Sequence, residues 1–419
     1  MTVSILVNGW INIHHSYAIV NCMQLIYLYK NHKDHINLYV KETEYYGTNW
    51  VRNSSSIYNS EYTELINGFN KWNGEHIDLI YSISFPYDIT SITNIPKCVF
   101  YTCEFHTLNT HYFKPDFTNM EDINTHIHTH SELYFTSPSS WSAFGMEKIF
   151  DLPASRNRII SHGSDVSVFN PIPETTCDTM RESMGISKDT ILLGMFGAMT
   201  TNKGIHILLS ALYDIVIVKG KTNYKLLLKG SNELYDSQTK LETIFKEFKF
   251  PVKLLDHIIF TGSTLSFGTL NELYNIVDIY VSPYLAEGFN LSPLEALTAG
   301  RRVVVPITGS TEQYMNDIYN NGGTNFITYV NSSVVSDTTT GNSYNQIEDT
   351  DLIAAILSID IRPKLDPAYM IEYISKNYSW SKAADLLYEY FLYILEDNKK
   401  RSLNRKQDKC YNCWETNHY

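Results

Sequence analysis

Long apolar runs are missing from this chain. No stretch reaches the roughly eighteen consecutive apolar residues that a membrane-spanning helix needs. A leader pattern is missing as well: Met1 is followed at once by a strand-like run, Val3 to Val7, too short for a signal core and with no basic stretch before it. Basic charge is scarce, with 33 Lys and Arg against 45 Asp and Glu for a net charge of −12. Binding along nucleic acid needs clustered cations to neutralise phosphates, so a general nucleic-acid partner is not expected. Cysteine is sparse, six in 419 residues, and most of the six fall inside predicted strands and helices. That suits reduced thiols and predicts a cytoplasmic protein. Cys410 and Cys413 form a lone Cys-x-x-Cys without the second pair that a structural zinc site wants. His126, His128 and His130 alternate in a polar segment just before a strand and read as a solvated helix end.

What the chain does have is apolar and aromatic content, 43% and 13%, over a length that fits two ordinary domains rather than one core. Short β-rich runs recur with helix-length segments between them. In the first half they are Val3–Val7, Ile36–Val40, Ile77–Ser82, Cys98–Cys103, Leu133–Thr136 and Arg158–Ser161. In the second half they are Ile191–Phe196, Tyr224–Leu228, Ile258–Thr261, Ile279–Val281, Arg302–Pro306 and Phe326–Val330. Continuous apolar strands alternating with helices mark a parallel sheet covered on both faces, so the expected class is α/β with two doubly wound, Rossmann-like domains. The proline-bearing stretch Asn170–Thr176 reads as the join. The predicted division is residues 1–172, residues 173–375, a returning helix over 376–397 and a basic polar tail over 398–419. Residues 331–346, rich in Ser, Thr, Asn, Gly and Asp, read as a surface loop. Ala383, Leu387, Phe391 and Leu395 give the returning helix one apolar face. Peripheral contact of the tail with an anionic membrane is the most that the pattern allows.

The chemistry concentrates in Glu287-Gly288-Phe289-Asn290-Leu291-Ser292-Pro293-Leu294-Glu295-Ala296, directly behind a predicted strand. Ser292 suits a helix N-cap, Pro293 the first helical position and Gly300 the helix end. On that register Glu295 lies in the first turn and Glu287 in the loop. The Gly288–Leu291 amides then form an anion site at a helix N-terminus, and a first-turn carboxylate can accept two hydrogen bonds from a ribose diol. Upstream, Phe196-Gly197-Ala198-Met199-Thr200-Thr201-Asn202-Lys203-Gly204 joins a strand to a helix.

Two glutamates eight positions apart, as Glu-Gly-Phe-x-Leu-x-x-x-Glu-Ala, resemble the retaining GT-B glycosyltransferases of family 4, the glycosyl transferases group 1. The resemblance implies two facing Rossmann-like domains with a C-terminal helix crossing back to the first. It implies that Glu287 contacts the donor sugar, that Gly288, Phe289, Asn290 and Leu291 meet sugar and phosphate, that Glu295 binds the ribose and that Lys203 faces the diphosphate. The family's arginine five positions before that lysine is Ala198 here. Arg301 or Lys229 could supply the missing cation, although Lys229 reads as a solvated strand end. Ile160-Ser161-His162-Gly163-Ser164-Asp165 is similar to the family's His-Gly-x-Asp element, and Thr308-Gly309-Ser310 with Glu312 to a glycine turn by the donor. Ser379-Trp380-Ser381 resembles the crossover, and Gly9 is the cleft-facing loop candidate of the first domain. On the acceptor side Glu104 and His106, at the end of a strand, are both candidates.

The resemblance thus implies transfer of a sugar from a UDP- or GDP-sugar, with retained anomeric configuration, to a glycan, lipid, protein or small-molecule acceptor. Neither cofactor nor metal is expected, because no Asp-x-Asp is suited to hold Mg²⁺ beside the diphosphate. A sugar-nucleotide epimerase, a phosphorylase-like enzyme and an inactive sugar-nucleotide-binding relic stay open. The epimerase should favour His/Asp/Glu chemistry, the phosphorylase a lysine for pyridoxal phosphate, and the relic would explain Ala198.

Overall fold

The computed structural model describes residues 2–47, 50, 52, 57–90 and 95–415, with no side chains for 402 and 404–415. The Cys410 and Cys413 thiols therefore lie outside the described part. The first half supplies β1 (Val3–Gly9), β2 (Ile36–Glu42), β3 (Asn70–Lys71), β4 (Leu79–Ile83), β5 (Tyr87–Asp88), β6 (Lys97–Phe100), β7 (Phe113–Lys114), β8 (Leu133–Ser137) and β9 (Asn157–Ile159). The second supplies β10 (Ile191–Phe196), β11 (Tyr224–Lys229), β12 (Ile258–Thr261), β13 (Ile279–Val281), β14 (Arg302–Pro306), β15 (Ile327–Val330), β16 (Ser333–Ser336) and β17 (Ser343–Gln346). Among the described residues one sheet has the order β3-β2-β1-β4-β6-β8-β9 and the other β12-β11-β10-β13-β14-β15, with β5–β7 and β16–β17 as separate pairs. Both large sheets are parallel throughout, with Val3 opposite Ile36 and Leu193 opposite Ile279. Central strands such as β4 and β13 are buried along their whole length, which is why they read as unbroken apolar runs. The strand order reverses beside β1 and beside β10, and ligands of open α/β sheets sit at the carboxyl ends of strands at such points.

Two expectations shift. The strand predicted over Cys98–Cys103 spans only Lys97–Phe100. Beyond Tyr101 the backbone donors turn to side chains, Thr102 N–H to the Tyr87 hydroxyl (3.1 Å) and Cys103 N–H to Ser142 Oγ (3.4 Å), so the chain leaves the ladder. The loop predicted over 331–346 is instead the antiparallel hairpin β16–β17. It leans on the first domain, where Ser343 N–H donates to Phe105 O (2.7 Å) and Thr107 Oγ1 to Gly341 O (2.6 Å).

The returning helix spans Trp380–Glu415 and buries Ala383, Leu387 and Phe391. Its backbone runs through the stretch read as a polar tail. It seats on the first domain: Asn31 Nδ2 donates to Asp385 Oδ1 (2.9 Å), His32 stacks on Tyr388, and the Tyr134 hydroxyl donates to Asp397 (2.8 Å). Just before it, Ser379 pairs with Ser164, and a Cβ on Gly163 would stand 2.1 Å from the Ser379 carbonyl carbon. Only glycine lets the His-Gly-Ser-Asp segment and the crossover meet so closely.

Candidate active site

The loop behind β13 does not start its helix where the sequence pattern put it. The helix is Leu291–Thr298, and Asn290 precedes it in the left-handed region (φ 69°), so Ser292 is not the cap and Pro293 is the third helical residue. Asn290 holds this conformation through its side chain, which donates to Ser282 Oγ (2.9 Å), and its carbonyl, which accepts from the Tyr314 hydroxyl (2.9 Å). Glu295 is consequently two residues deeper than expected, the fifth residue of the helix, yet it still lines the cleft. The Tyr274 hydroxyl donates to its Oε2 (2.7 Å), and burial pushes its carboxyl up to about 7.

A cavity of about 260 Å³ lies between the sheets' reversal points, and Gly288, Phe289, Asn290, Leu291 and Glu295 line it. Among the described residues no acceptor takes the backbone N–H of Gly288, Phe289 or Asn290. The Gly288 carbonyl points the other way and accepts from Ser139 Oγ (2.6 Å) and Ser142 Oγ (3.0 Å) of the first domain. A Cβ on Gly288 would sit 2.7 Å from Thr102 Cγ2, so a side chain here would push the domains apart.

Lys203, at the end of the short turn Thr201–Lys203, reaches the same cavity and forms an ion pair with the buried Glu287. Lys229, read from sequence as solvated, lines the cavity at the end of β11; burial lowers its pKa, and nearby Glu295 opposes that shift. Arg301 is elsewhere, holding the carbonyls of Ala299 (3.1 Å) and Asn275 (3.0 Å) with its guanidinium. Lys229 is thus a second lysine in the cleft, which Ala198 also lines. Ser310 is buried next to Tyr284 and is not among the residues lining the cavity.

From the first domain Glu104 faces the same space. Burial, with Glu287 adding repulsion and Lys203 opposing both, pushes its carboxyl up to about 7. His106, two positions on, is turned away with a positive φ of 53°. Its ring lies against Trp141 and Phe144 (centroids 3.6 and 4.2 Å), and burial lowers its pKa to about 4. The structure thus brings Glu104 to the site and leaves His106 in packing. His162 lines the cavity among Phe100, Phe289 and Trp380, where burial drives its pKa down to about 3 and keeps the ring neutral. Gly9 ends β1 against the Ile83 carbonyl rather than in the cleft; His14, Ser16 and Tyr17 take the place foreseen for it. The alternating histidines are hydrogen-bonded at the end of the helix Met120–Thr129: His126 to Ile89 O, His128 to Phe150 O and His130 to Glu132. His128 is exposed, as a solvated helix end implies, while His126 and His130 are half-buried, and no group of three or more His, Cys, Asp or Glu among the described residues could hold a metal.

Sequence reasoning missed Tyr274, Tyr17, Thr102 and Tyr235 as cleft residues. Lys229 alone carried a signal, a charged residue ending a strand beside the reversal point.

Residues 190–332 match the family model for Glycosyl transferases group 1. The lipopolysaccharide core mannosyltransferase LpsB of Rhizobium meliloti is 26% identical over 37% of this chain and 41% of its own length. An uncharacterised glycosyltransferase of Methanocaldococcus jannaschii is 27% identical over 38% and 39%. These matches span about two fifths of the curated relatives' length. Among solved structures, Anabaena HepE in complex with UDP and glucose superposes with a TM-score of 0.60 at 14% identity, covering 93% of this chain and 99% of that one. Sucrose-phosphate synthase of Thermosynechococcus elongatus does so at 0.60 and 13%, covering 94% and 100%. No described helix is long and apolar enough to cross a membrane. The chain has the GT-B fold, and its second half carries the sequence pattern of Glycosyl transferases group 1 across residues 190–332.

Proposed function

We propose that this protein is a glycosyltransferase that takes a nucleotide-sugar donor and retains its anomeric configuration. One observation carries the reading: in a single cavity at the reversal point of the second sheet, two lysines, a helix-entry loop with free amides and a ribose-ready carboxyl converge opposite Glu104. The diphosphate meets Lys203, Lys229 and the Gly288–Asn290 amides, with no resident metal invoked. Glu295, steadied by Tyr274, takes the ribose hydroxyls. Glu287, beside Lys203, faces the sugar ring and balances its developing positive charge. The family match over residues 190–332 and the glycosyltransferase names of the similar proteins support the transferase part of this reading. That HepE binds UDP and glucose makes a UDP-sugar the first donor to try.

What the cleft offers supports retention. Inversion needs a base on the face opposite the nucleotide. Glu104 is the first-domain carboxyl at the cavity, and it lies close enough to Glu287 and Lys203 for each to shift its ionisation. In the retaining course the acceptor oxygen attacks on the nucleotide's face, the glycosyl–phosphate bond breaks, and the departing phosphate takes the acceptor proton. Nucleotide release from UDP- and GDP-sugars, with proton NMR of the first product from an α-linked donor, tests the reading. An α-linked product is expected. A β-linked product overturns retention, and no release from any donor moves the protein to the relic class.

A further inference from the structure

Beyond Glu104 the cleft opens into a second chamber of about 340 Å³, and Ser16, Tyr17, Thr102, Glu104, Lys203 and Tyr235 line both spaces. The two are one continuous site with Glu104 at the junction. The second chamber is walled mainly by rings: Trp10, Tyr46, Trp50, Phe85 and Tyr112 from the first domain and Tyr235 from the second. The rings brace one another edge to face, Trp50 against Trp10 (5.7 Å, 87°) and against Tyr235 (6.3 Å, 77°), Phe85 against Tyr46 (4.9 Å, 80°) and against Tyr112 (5.4 Å, 89°). The Trp10 and Trp50 indole N–H groups are spent on the carbonyls of Glu44 (2.9 Å) and Leu234 (3.3 Å), so these side chains offer ring surface and no further donor. Tyr46 is 56% exposed, an aromatic surface at the mouth.

Charge decides what this wall accepts. Among the described lining residues the cation is Lys203, already paired with Glu287, and His15 stays neutral because burial, helped by Lys203, lowers its pKa to about 4. A phosphate or carboxylate buried here would go unpaired, at high cost. A purely aliphatic ligand would leave the Glu104 carboxyl without the hydroxyl that the transfer requires. A pyranose ring suits both demands: its C–H face lies on the electron-rich face of an aromatic ring, and its hydroxyls project sideways to polar groups. We propose that the chamber is the acceptor site and that it takes an uncharged pyranoside, stacked on Trp50 and Tyr46 with one hydroxyl directed at Glu104. This inference rests on reading the adjoining cavity as the donor site.

The test uses the full chain. Saturation-transfer NMR and calorimetry with methyl glucoside, methyl mannoside and methyl galactoside are run beside glucose 6-phosphate and glucuronate, with UDP and GDP titrated separately. At least one neutral glycoside should bind while both anionic sugars fail. Trp50→Ala and the surface variant Tyr46→Ala should each weaken that binding by roughly tenfold, with Trp50→Phe recovering part of it, and nucleotide affinity should hold. Preference for the anionic sugars, or no glycoside binding while a nucleotide binds, overturns the acceptor class. Glycoside binding that neither variant weakens overturns the stacking site. Failure to bind any nucleotide strikes instead at the donor reading.

Discussion

Glu104 and Glu295 are both carboxyls whose protons the fold retains, each with a pKa near 7 for which burial is the main cause. A carboxyl raised in the folded state costs nothing below the unfolded value, since both states are then protonated. As pH climbs above that value the unfolded chain ionises first and stability falls, levelling off once the folded carboxyl ionises as well. Chemical denaturation should therefore show stability declining between about pH 4.5 and 7. Glu104→Gln and Glu295→Gln should each recover on the order of 2 kcal/mol at pH 8 and nothing at pH 4, a figure discounted for partial solvent screening. A flat profile in the wild type would show that these groups ionise freely. Function runs against stability here. Glu295→Ala should weaken nucleotide binding by about 1.5–3 kcal/mol in calorimetry, the scale of a lost charged hydrogen bond. Lys229→Met should weaken nucleoside diphosphate binding by about 1–2 kcal/mol while sparing the nucleoside, and equal affinity for both in wild type and variant would remove Lys229 from the phosphates. Glu295 was legible in the sequence because its spacing from Glu287 is a pattern. Lys229 could be named from the sequence as a possible cation but was read as a solvated strand end, because its burial depends on cavity walls distant in sequence, Glu295 sixty-six positions away among them, that no local pattern connects to it.

At the scale of elements, most strands of both large sheets could be read, β10, β13 and β14 to the residue because a strand buried on both faces writes itself as an apolar run, and half-buried β12 as well, whereas the exposed two-residue edge strand β3 (Asn70–Lys71) was not read. The hairpin β16–β17 could not be read, because its residues are polar and its partners are distant. What holds it is Asn345, fully buried, whose N–H donates to Leu285 O (2.8 Å) and whose side chain reaches Tyr284 O (3.3 Å) and Thr308 Oγ1 (2.9 Å). The hairpin thereby ties the loop before Glu287 to the Phe105–Thr107 segment that follows Glu104. Asn345→Ala leaves the Tyr284 and Thr308 groups buried without this partner and should cost about 1–3 kcal/mol in a denaturant titration. Because the slack falls on the Glu104 side, the acceptor KM should rise while nucleotide affinity stays put. The reverse pattern would place the hairpin's influence on the donor. The start of the Leu291–Thr298 helix was misread for a related reason: Ser-Pro is a strong local capping signal, but non-local bonds to Ser282 and Tyr314 fix Asn290 in a left-handed turn two residues earlier.

Taken whole, the molecule has its domains in contact, and the contact runs through the donor loop. Ser139 and Ser142, both at the start of the short helix Ser140–Phe144, hold the Gly288 carbonyl. A peptide plane with its carbonyl pinned toward the first domain turns the following N–H, that of Phe289, the opposite way, which is where the donor's charge would lie. Further contacts join the halves, Phe267 N–H to Ile57 O (2.8 Å) and the hairpin bonds, but the Gly288 clasp acts directly on the loop assigned to the transition state. Closure and assembly of the anion site are then one event, as expected where binding energy is used to complete a site. Removing the clasp should leave the second domain able to bind nucleotide, because Lys203, Lys229 and Glu295 all belong to it. Ser142→Ala deletes one donor, and Ser139→Asp keeps the helix cap while setting a carboxylate against the carbonyl. The first should lower kcat by roughly fivefold and the second by tenfold or more, the latter about 1.4 kcal/mol of lost transition-state stabilisation. Nucleotide affinity should change by less than about twofold. Small-angle scattering with nucleotide bound should show the Ser139→Asp protein more extended than the wild type. A variant that turns over normally and scatters identically would show that the loop is set by the second domain alone, and the serines would be left as packing between two rigid halves.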